Sequence, residues 1–136
     1  MLPLTLDAVR LSLHVLAAAV WVGGQLTLAG LVPGLRALGP DLPRTVARRF
    51  NRIAWPAYGI LIATGVWNIA ESSFGDRSSG WQVTLFVKLL VVAVAGASAL
   101  AHSVTTSKAV LAVGGALAGL SSIAALVLGV QLVTGG

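Results

Sequence analysis

Four long apolar runs, separated by short polar connectors, constrain this chain more than any other feature. They cover residues 11–35, 53–70, 81–102 and 109–133, to within a few positions. A helix of about 20 mainly apolar residues can cross the hydrocarbon core of a bilayer, so each run predicts one membrane span. Helices are favoured because every backbone polar group needs an internal partner in lipid. The sequence therefore predicts an all-α, integral membrane four-helix bundle, built as a single four-span transmembrane domain over residues 1–136.

The composition also indicates that lipid is the main solvent. Hydrophobic residues make up 57% of the chain and charged residues only 10%, against roughly 25% charged residues in an average soluble domain. The sequence has no cysteine, which excludes disulfides, thiolate chemistry and cysteine-ligated metals. It contains no Ser/His/Asp set, paired carboxylates or phosphate-binding glycine loop, so nothing in it supports a hydrolase or a nucleotide-dependent enzyme.

The positive charges predict the topology. The net charge of +5 would suggest nucleic acid in a soluble protein, but here the basic residues cluster in one connector. That clustering favours topology and lipid head groups over nucleic acid as the explanation. Only Arg10 and Arg77 lie on one predicted side, whereas the opposite side holds Arg36, Arg44, Arg48, Arg49, Arg52 and Lys108. The positive-inside rule then predicts a multi-pass protein of the inner (plasma) membrane with both termini extracytoplasmic.

Two ionisable residues lie inside the predicted spans, His14 in the first and Lys88 in the third. Such groups are costly in hydrocarbon and are functional candidates by default. His14, Ala18, Trp21 and Gln25 follow one another at steps of four, three and four, which places them on one face of a helix. We expect this face to line a polar site.

Depth along the helices indicates which polar residues can meet. At about 1.5 Å per residue, His14 and Lys88 both fall in the outer half of the membrane. The same half contains Thr64, Asn68 and Gln131, so all five are expected to converge near the extracytoplasmic surface. Alternatively, His14 could simply hydrogen-bond a neighbouring helix, and Lys88 could extend toward the head groups. His102 lies about 21 Å below Lys88 and is expected to cap the cytoplasmic end of the third span.

Small residues in the spans allow two interpretations. Gly115 and Gly119 form a GxxxG spacing in the fourth span, and Gly23 and Gly24 lie in the first. Such residues let helices approach closely and could simply pack the bundle. They could also leave room between helices for a flat ligand.

The chemistry of the site favours haem over copper. A neutral imidazole in a helix bundle is a natural axial ligand for haem iron. Arg10, Arg77 or Lys88 could meet the haem propionates, or Lys88 could approach the iron. No second histidine lies at matching depth, so bis-histidine coordination within one protomer is not expected. Copper(I) prefers thiolate and thioether ligands, which the chain lacks apart from Met1.

Three stretches resemble the CopD-type copper-resistance membrane domain family. They are HVLAAAVWVGG at residues 14–24, RRFNRIA at residues 48–54 running into ATGVWN at 63–68, and LFVKLLV at residues 85–91. The spacing of His14 and Trp21, and the Lys88–Leu89 pair, are also similar to the HemJ-type protoporphyrinogen oxidase, a haem-b membrane protein. The CopD-type resemblance covers roughly residues 9–105.

These resemblances imply specific roles. The HemJ-type pattern implies haem b, with His14 as the metal ligand and Lys88 as the catalytic residue. Trp21, Gly24 and Asn68 lie in the matching stretches and are expected to contribute to the cofactor site. The protein would then be a haem-dependent membrane oxidoreductase with quinone or porphyrin as a partner.

Two alternatives remain open. The CopD-type pattern implies a copper-handling permease domain for uptake or resistance. The chain could also be a non-catalytic accessory subunit, acting as a homo-oligomer or within a larger membrane complex.

Overall fold

A computed structural model describes residues 2–135, and over this range the chain consists of helices and short turns. The first helix begins with α1 (Leu6–Ala18), continues through a π-helical turn (Ala19–Gly23) and ends as α2 (Gly24–Leu38). It is followed by α3 (Leu42–Ala70), a short 3-10 turn (Phe74–Asp76), α4 (Ser79–Val104) and α5 (Lys108–Thr134).

Four helices are long and apolar enough to cross a membrane. They are Leu6–Leu38, Leu42–Ala70, Ser79–Val104 and Lys108–Thr134, and each contains one of the four predicted spans. The all-α class of a multi-pass membrane protein is therefore confirmed for the described residues. The single-domain organisation and the outward orientation of the termini remain predictions.

The helices extend beyond the predicted spans for identifiable reasons. The first begins at Leu6, where the Thr5 hydroxyl accepts a hydrogen bond from the Ala8 amide at 3.1 Å. It also continues past Pro33, because proline removes only one helical hydrogen bond and Leu35, Arg36 and Ala37 are good helix formers. The basic segment Thr45–Arg52 is continuous with the second span in α3.

The chain divides into two compact units, one ending at Ser72 and one beginning at Ser73. We call them the N-terminal hairpin (α1, the π turn, α2 and α3) and the C-terminal hairpin (α4 and α5). In the N-terminal hairpin, His14 contacts Thr64 and Trp21 contacts Tyr58, so the two chain directions are opposed. In the C-terminal hairpin, the Trp81 indole donates to the Leu132 carbonyl at 3.0 Å, and His102 contacts Leu111. Both units are antiparallel helix pairs.

Close backbone approach marks the C-terminal hairpin. A Cβ atom at Gly114 would lie 3.2 Å from the Ser98 carbonyl oxygen and 3.3 Å from the His102 Cβ atom. Gly114, Ala118 and Ser122 are all buried and follow one another at steps of four. The buried row of small residues therefore begins at Gly114, one position before the predicted Gly115–Gly119 pair. At Gly119 an added Cβ would meet nothing within 4 Å.

Candidate functional site

A histidine–threonine pair between facing helices is the centre of the candidate site. His14 Nδ1 lies 2.8 Å from the Thr64 hydroxyl oxygen. Thr64 also lies 2.7 Å from the Ile60 carbonyl oxygen, which can only accept a hydrogen bond. Because a hydroxyl has a single hydrogen, we assign that hydrogen to Ile60. The Thr64 oxygen then accepts from His14 Nδ1–H.

This assignment fixes the tautomer of His14. A neutral imidazole protonated at Nδ1 carries its lone pair on Nε2, which is the form in which Nε2 binds a metal. A hydrogen bond from the other ring nitrogen orients such a ligand and raises its basicity. The geometry is therefore that of a histidine held by a second residue through Nδ1.

The buried face of α1 differs in part from the predicted one. Arg10, Ala17 and Trp21 are buried, with 9%, 4% and 4% of their surface exposed, and His14 is half-buried between them. The face therefore runs Arg10, His14, Ala17, Trp21, at steps of four, three and four. Gln25 lies beyond the π turn, where the wider helical turn changes the angular relation to His14.

Arg10 is a buried cation that the sequence interpretation placed outside the first span. Its Nη2 atom lies 3.1 Å from an Asp7 carboxylate oxygen, and its guanidinium lies 5.8 Å from the centre of the Trp67 ring. Its Nε atom is buried without a hydrogen-bond partner, and so is the Oδ1 atom of Asn68. Thr5 and Asp7, the cap and the acidic first-turn residue of α1, are the sequence signals that could have placed Arg10 inside the helix.

Trp21 and Gly24 have packing roles within the N-terminal hairpin. The Trp21 ring centre lies 5.5 Å from that of Trp55 and 4.5 Å from that of Tyr58, in edge-to-face and tilted arrangements. A Cβ atom at Gly24 would overlap the ring of Phe50. That Trp21 and Gly24 contribute to a cofactor site remains a prediction.

Trp21 lies in a π-helical turn. The turn covers Ala19–Gly23, and Trp21 is its only buried residue. Single π turns inside α-helices occur frequently at functional sites. Nothing in the local sequence predicted it.

Lys88 belongs to the C-terminal hairpin. It is half-buried, and a Cβ atom at Gly129 of α5 would lie 3.0 Å from its Nζ atom. Lys88 has no acidic partner among the described residues. Gln131, expected beside Lys88, has an exposed side chain. Convergence of Lys88 with His14 stays a prediction.

His102 is held differently from His14. Its Nδ1 lies 2.7 Å from the Leu111 carbonyl oxygen, which can only accept, so this ring is also protonated at Nδ1. The ring lies over Gly115, where a Cβ atom would be 3.1 Å from both Cε1 and Nδ1. His102 thus joins the end of α4 to the beginning of α5. It lies in the last turn of α4, as expected.

The side chains do not form a multidentate metal centre. Within residues 2–135 there is no group of three or more His, Cys, Asp or Glu residues that could hold an ion. Two surface grooves are lined by other residues: one by Thr45, Arg48, Arg49, Arg52 and Ile53, and one by Leu11, Ser12, Val15, Leu16 and Ala19. What the arrangement offers is one oriented imidazole with a buried guanidinium one turn away.

Comparisons with protein-family models, with curated proteins and with solved structures find no match to this chain.

Proposed function

We propose that the chain is a haem-b-binding membrane protein of the CopD/HemJ-like type with a redox role, in which His14 would ligate the iron. The observation that carries the proposal is the His14–Thr64 hydrogen bond of 2.8 Å. It holds the imidazole in the tautomer whose lone pair lies on Nε2, and histidine is a common ligand of haem iron.

The neighbouring residues support a porphyrin rather than a bare ion. A copper site built from side chains would need several ligands, and the described residues contain no group of three His, Cys, Asp or Glu residues. Buried polar atoms without partners, Arg10 Nε and Asn68 Oδ1, lie on the same hairpin as His14 and fit a ligand that carries polar substituents. Haem, when bound, would supply one-electron redox chemistry.

The residues of the chain would bind the haem and orient it. Thr64 would keep the His14 ring in place and its Nδ1 protonated. Trp21 and the rings around it would exclude water from the imidazole. Lys88 is proposed as the catalytic cation, which would hold or move a proton. Quinone or porphyrin is the proposed redox partner.

Haem titration of the purified protein in nanodiscs tests the proposal. We expect a Soret band with one-to-one stoichiometry in the wild type and its loss in His14→Ala. His102→Ala is the matched control, because it removes the other histidine and should leave the band unchanged. Thr64→Val should weaken haem binding by about 10- to 100-fold, as removal of partners behind a histidine ligand typically does.

The same preparation separates the alternatives. A colourless protein that binds copper stoichiometrically would replace the proposal by the copper-handling permease. A protein that binds neither and copurifies with larger subunits would be an accessory subunit. A Soret band that survives in His14→Ala would refute His14 as the ligand.

A further inference from the structure

The N-terminal hairpin contains two further polar residues, Arg10 and Asn68, beside the His14–Thr64 pair. Arg10 precedes His14 by four residues, and Asn68 follows Thr64 by four. Since the helices are antiparallel, both steps run in the same direction, by about 6 Å at 1.5 Å per residue. The stacking of Arg10 over the Trp67 ring at 5.8 Å agrees with this placement. A cation and an amide therefore lie one helical turn from the histidine, on facing helices.

The hydrogen bonding of Arg10 and Asn68 is incomplete. Arg10 has 9% of its surface exposed, and its Nε–H has no partner. Asn68 Oδ1 is likewise buried without a donor. A buried donor left unpaired costs about 1–3 kcal/mol, and more when it belongs to a charged group. The unpaired Nε–H of Arg10 therefore calls for an acceptor from a further molecule, whereas Asn68 Oδ1 calls for a donor.

The existing partner of Arg10 is easily replaced. Asp7 bonds only Nη2, and its side chain is 72% exposed. An ion pair with so exposed a carboxylate contributes little to stability. The guanidinium offers five N–H donors in a planar fork that matches a carboxylate, and neutral donors or a lone ammonium do not provide this geometry.

We infer that Arg10 binds a carboxylate group of the ligand whose body lies against His14. This inference rests on the proposed function and deepens it, because it defines the ligand as a porphyrin with ionised acid side chains. Arg10 sets the position of the porphyrin along the hairpin, and His14 binds its metal. The two contacts are independent, so they can be tested separately.

Metal-free protoporphyrin IX and its dimethyl ester separate the acid contact from iron ligation. We would titrate each into the full-length protein in phosphatidylcholine nanodiscs and follow quenching of tryptophan fluorescence. Charge-assisted hydrogen bonds predict that the wild type binds the diacid about 10- to 100-fold more tightly than the diester. Arg10→Gln should bind both compounds equally, and Arg10→Lys should keep only part of the preference.

Two control variants identify the residue responsible. Arg77→Gln removes an exposed arginine that also stacks on a tryptophan, with 5.2 Å between its guanidinium and the Trp81 ring, and should keep the full preference. His14→Ala should also keep it, because the probe has no iron. Circular dichroism and monodispersity confirm that Arg10→Gln is folded.

Each outcome decides the inference. Equal binding of diacid and diester by the wild type, a preference that survives in Arg10→Gln, or no porphyrin binding at all would overturn it. A phosphatidylglycerol-dependent stabilisation that Arg10→Gln abolishes, without any diacid preference, would assign the anion to a lipid phosphate and overturn it as well. A diacid preference without a His14-dependent Soret band would refute the proposed haem ligation alone.

Discussion

In the N-terminal hairpin the histidine bonds a side-chain hydroxyl, whereas in the C-terminal hairpin the histidine bonds a backbone carbonyl. Both buried polar atoms without a partner among the described residues, on Arg10 and Asn68, lie in the N-terminal hairpin. In the C-terminal hairpin, close contact between α4 and α5 at Gly114 accompanies a histidine with a short bond. The C-terminal hairpin is therefore closely packed, whereas the N-terminal hairpin retains unpaired buried polar atoms, as expected of a binding region.

The largest effect should come from filling the close approach in the C-terminal hairpin. Gly114→Ala places a methyl group against the Ser98 carbonyl and the His102 backbone, which cannot rotate away. Gly119→Ala is the matched control, since it adds the same methyl group where an added Cβ meets nothing within 4 Å. We expect the free energies of unfolding in mixed micelles to differ by about 2 kcal/mol, with Gly114→Ala the less stable. Equal stabilities would show that α4 and α5 do not approach at Gly114.

A smaller effect should come from removing the hydroxyl behind His14. Thr64→Val leaves His14 Nδ1–H without that acceptor and should cost about 1 kcal/mol of unfolding free energy. Thr84→Val is the control, because Thr84 donates to Gly80 of its own helix, a bond that joins no two helices. In a His14→Ala background, Thr64→Val should lower the unfolding free energy much less than it does in the wild type. An undiminished cost in the double variant would mean that Thr64 acts without His14.

The smallest effect, with the opposite sign, should come from removing the Lys88 charge. Lys88 has no acidic partner among the described residues, so Lys88→Met should leave stability unchanged or raise it by about 0.5 kcal/mol. Lys108→Met, at an exposed lysine, controls for the loss of one positive charge. A cost above about 1 kcal/mol would contradict the absence of a stabilising partner. If stability holds, any loss of redox activity in Lys88→Met reports on function rather than folding.

Much of the helical architecture was predictable because it depends on local composition. The apolar runs and the polar breaks near Ser78 and Ser107 specify the helices and their caps. His14 and Thr64 could be selected from the sequence because polar residues within spans are rare. Lys88 could be selected in the same way, but its distance from His14 depends on how the hairpins pack, which no local pattern encodes.

Other features required the structure for physical reasons. Charged residues usually lie outside spans, so Arg10 was assigned to the flank although Thr5 and Asp7 form a helix start before it. The choice of Gly114 over Gly115 as the contact position depends on the partner helix. The π turn at Ala19–Gly23 changes hydrogen bonding without a distinctive residue, and Trp21 is held there by rings from α3.

The proton position on His14 decides whether Thr64 prepares this imidazole to bind a metal. The sequence contains only two histidines, His14 and His102, so a 15N-histidine-labelled sample gives few signals and His102→Gln assigns them. We predict a protonated, pyrrole-type Nδ1 and a pyridine-type Nε2 for the neutral His14 ring, with the pattern lost in Thr64→Val. A His14 ring protonated at Nε2 would contradict the claim that Thr64 holds this imidazole ready for a metal.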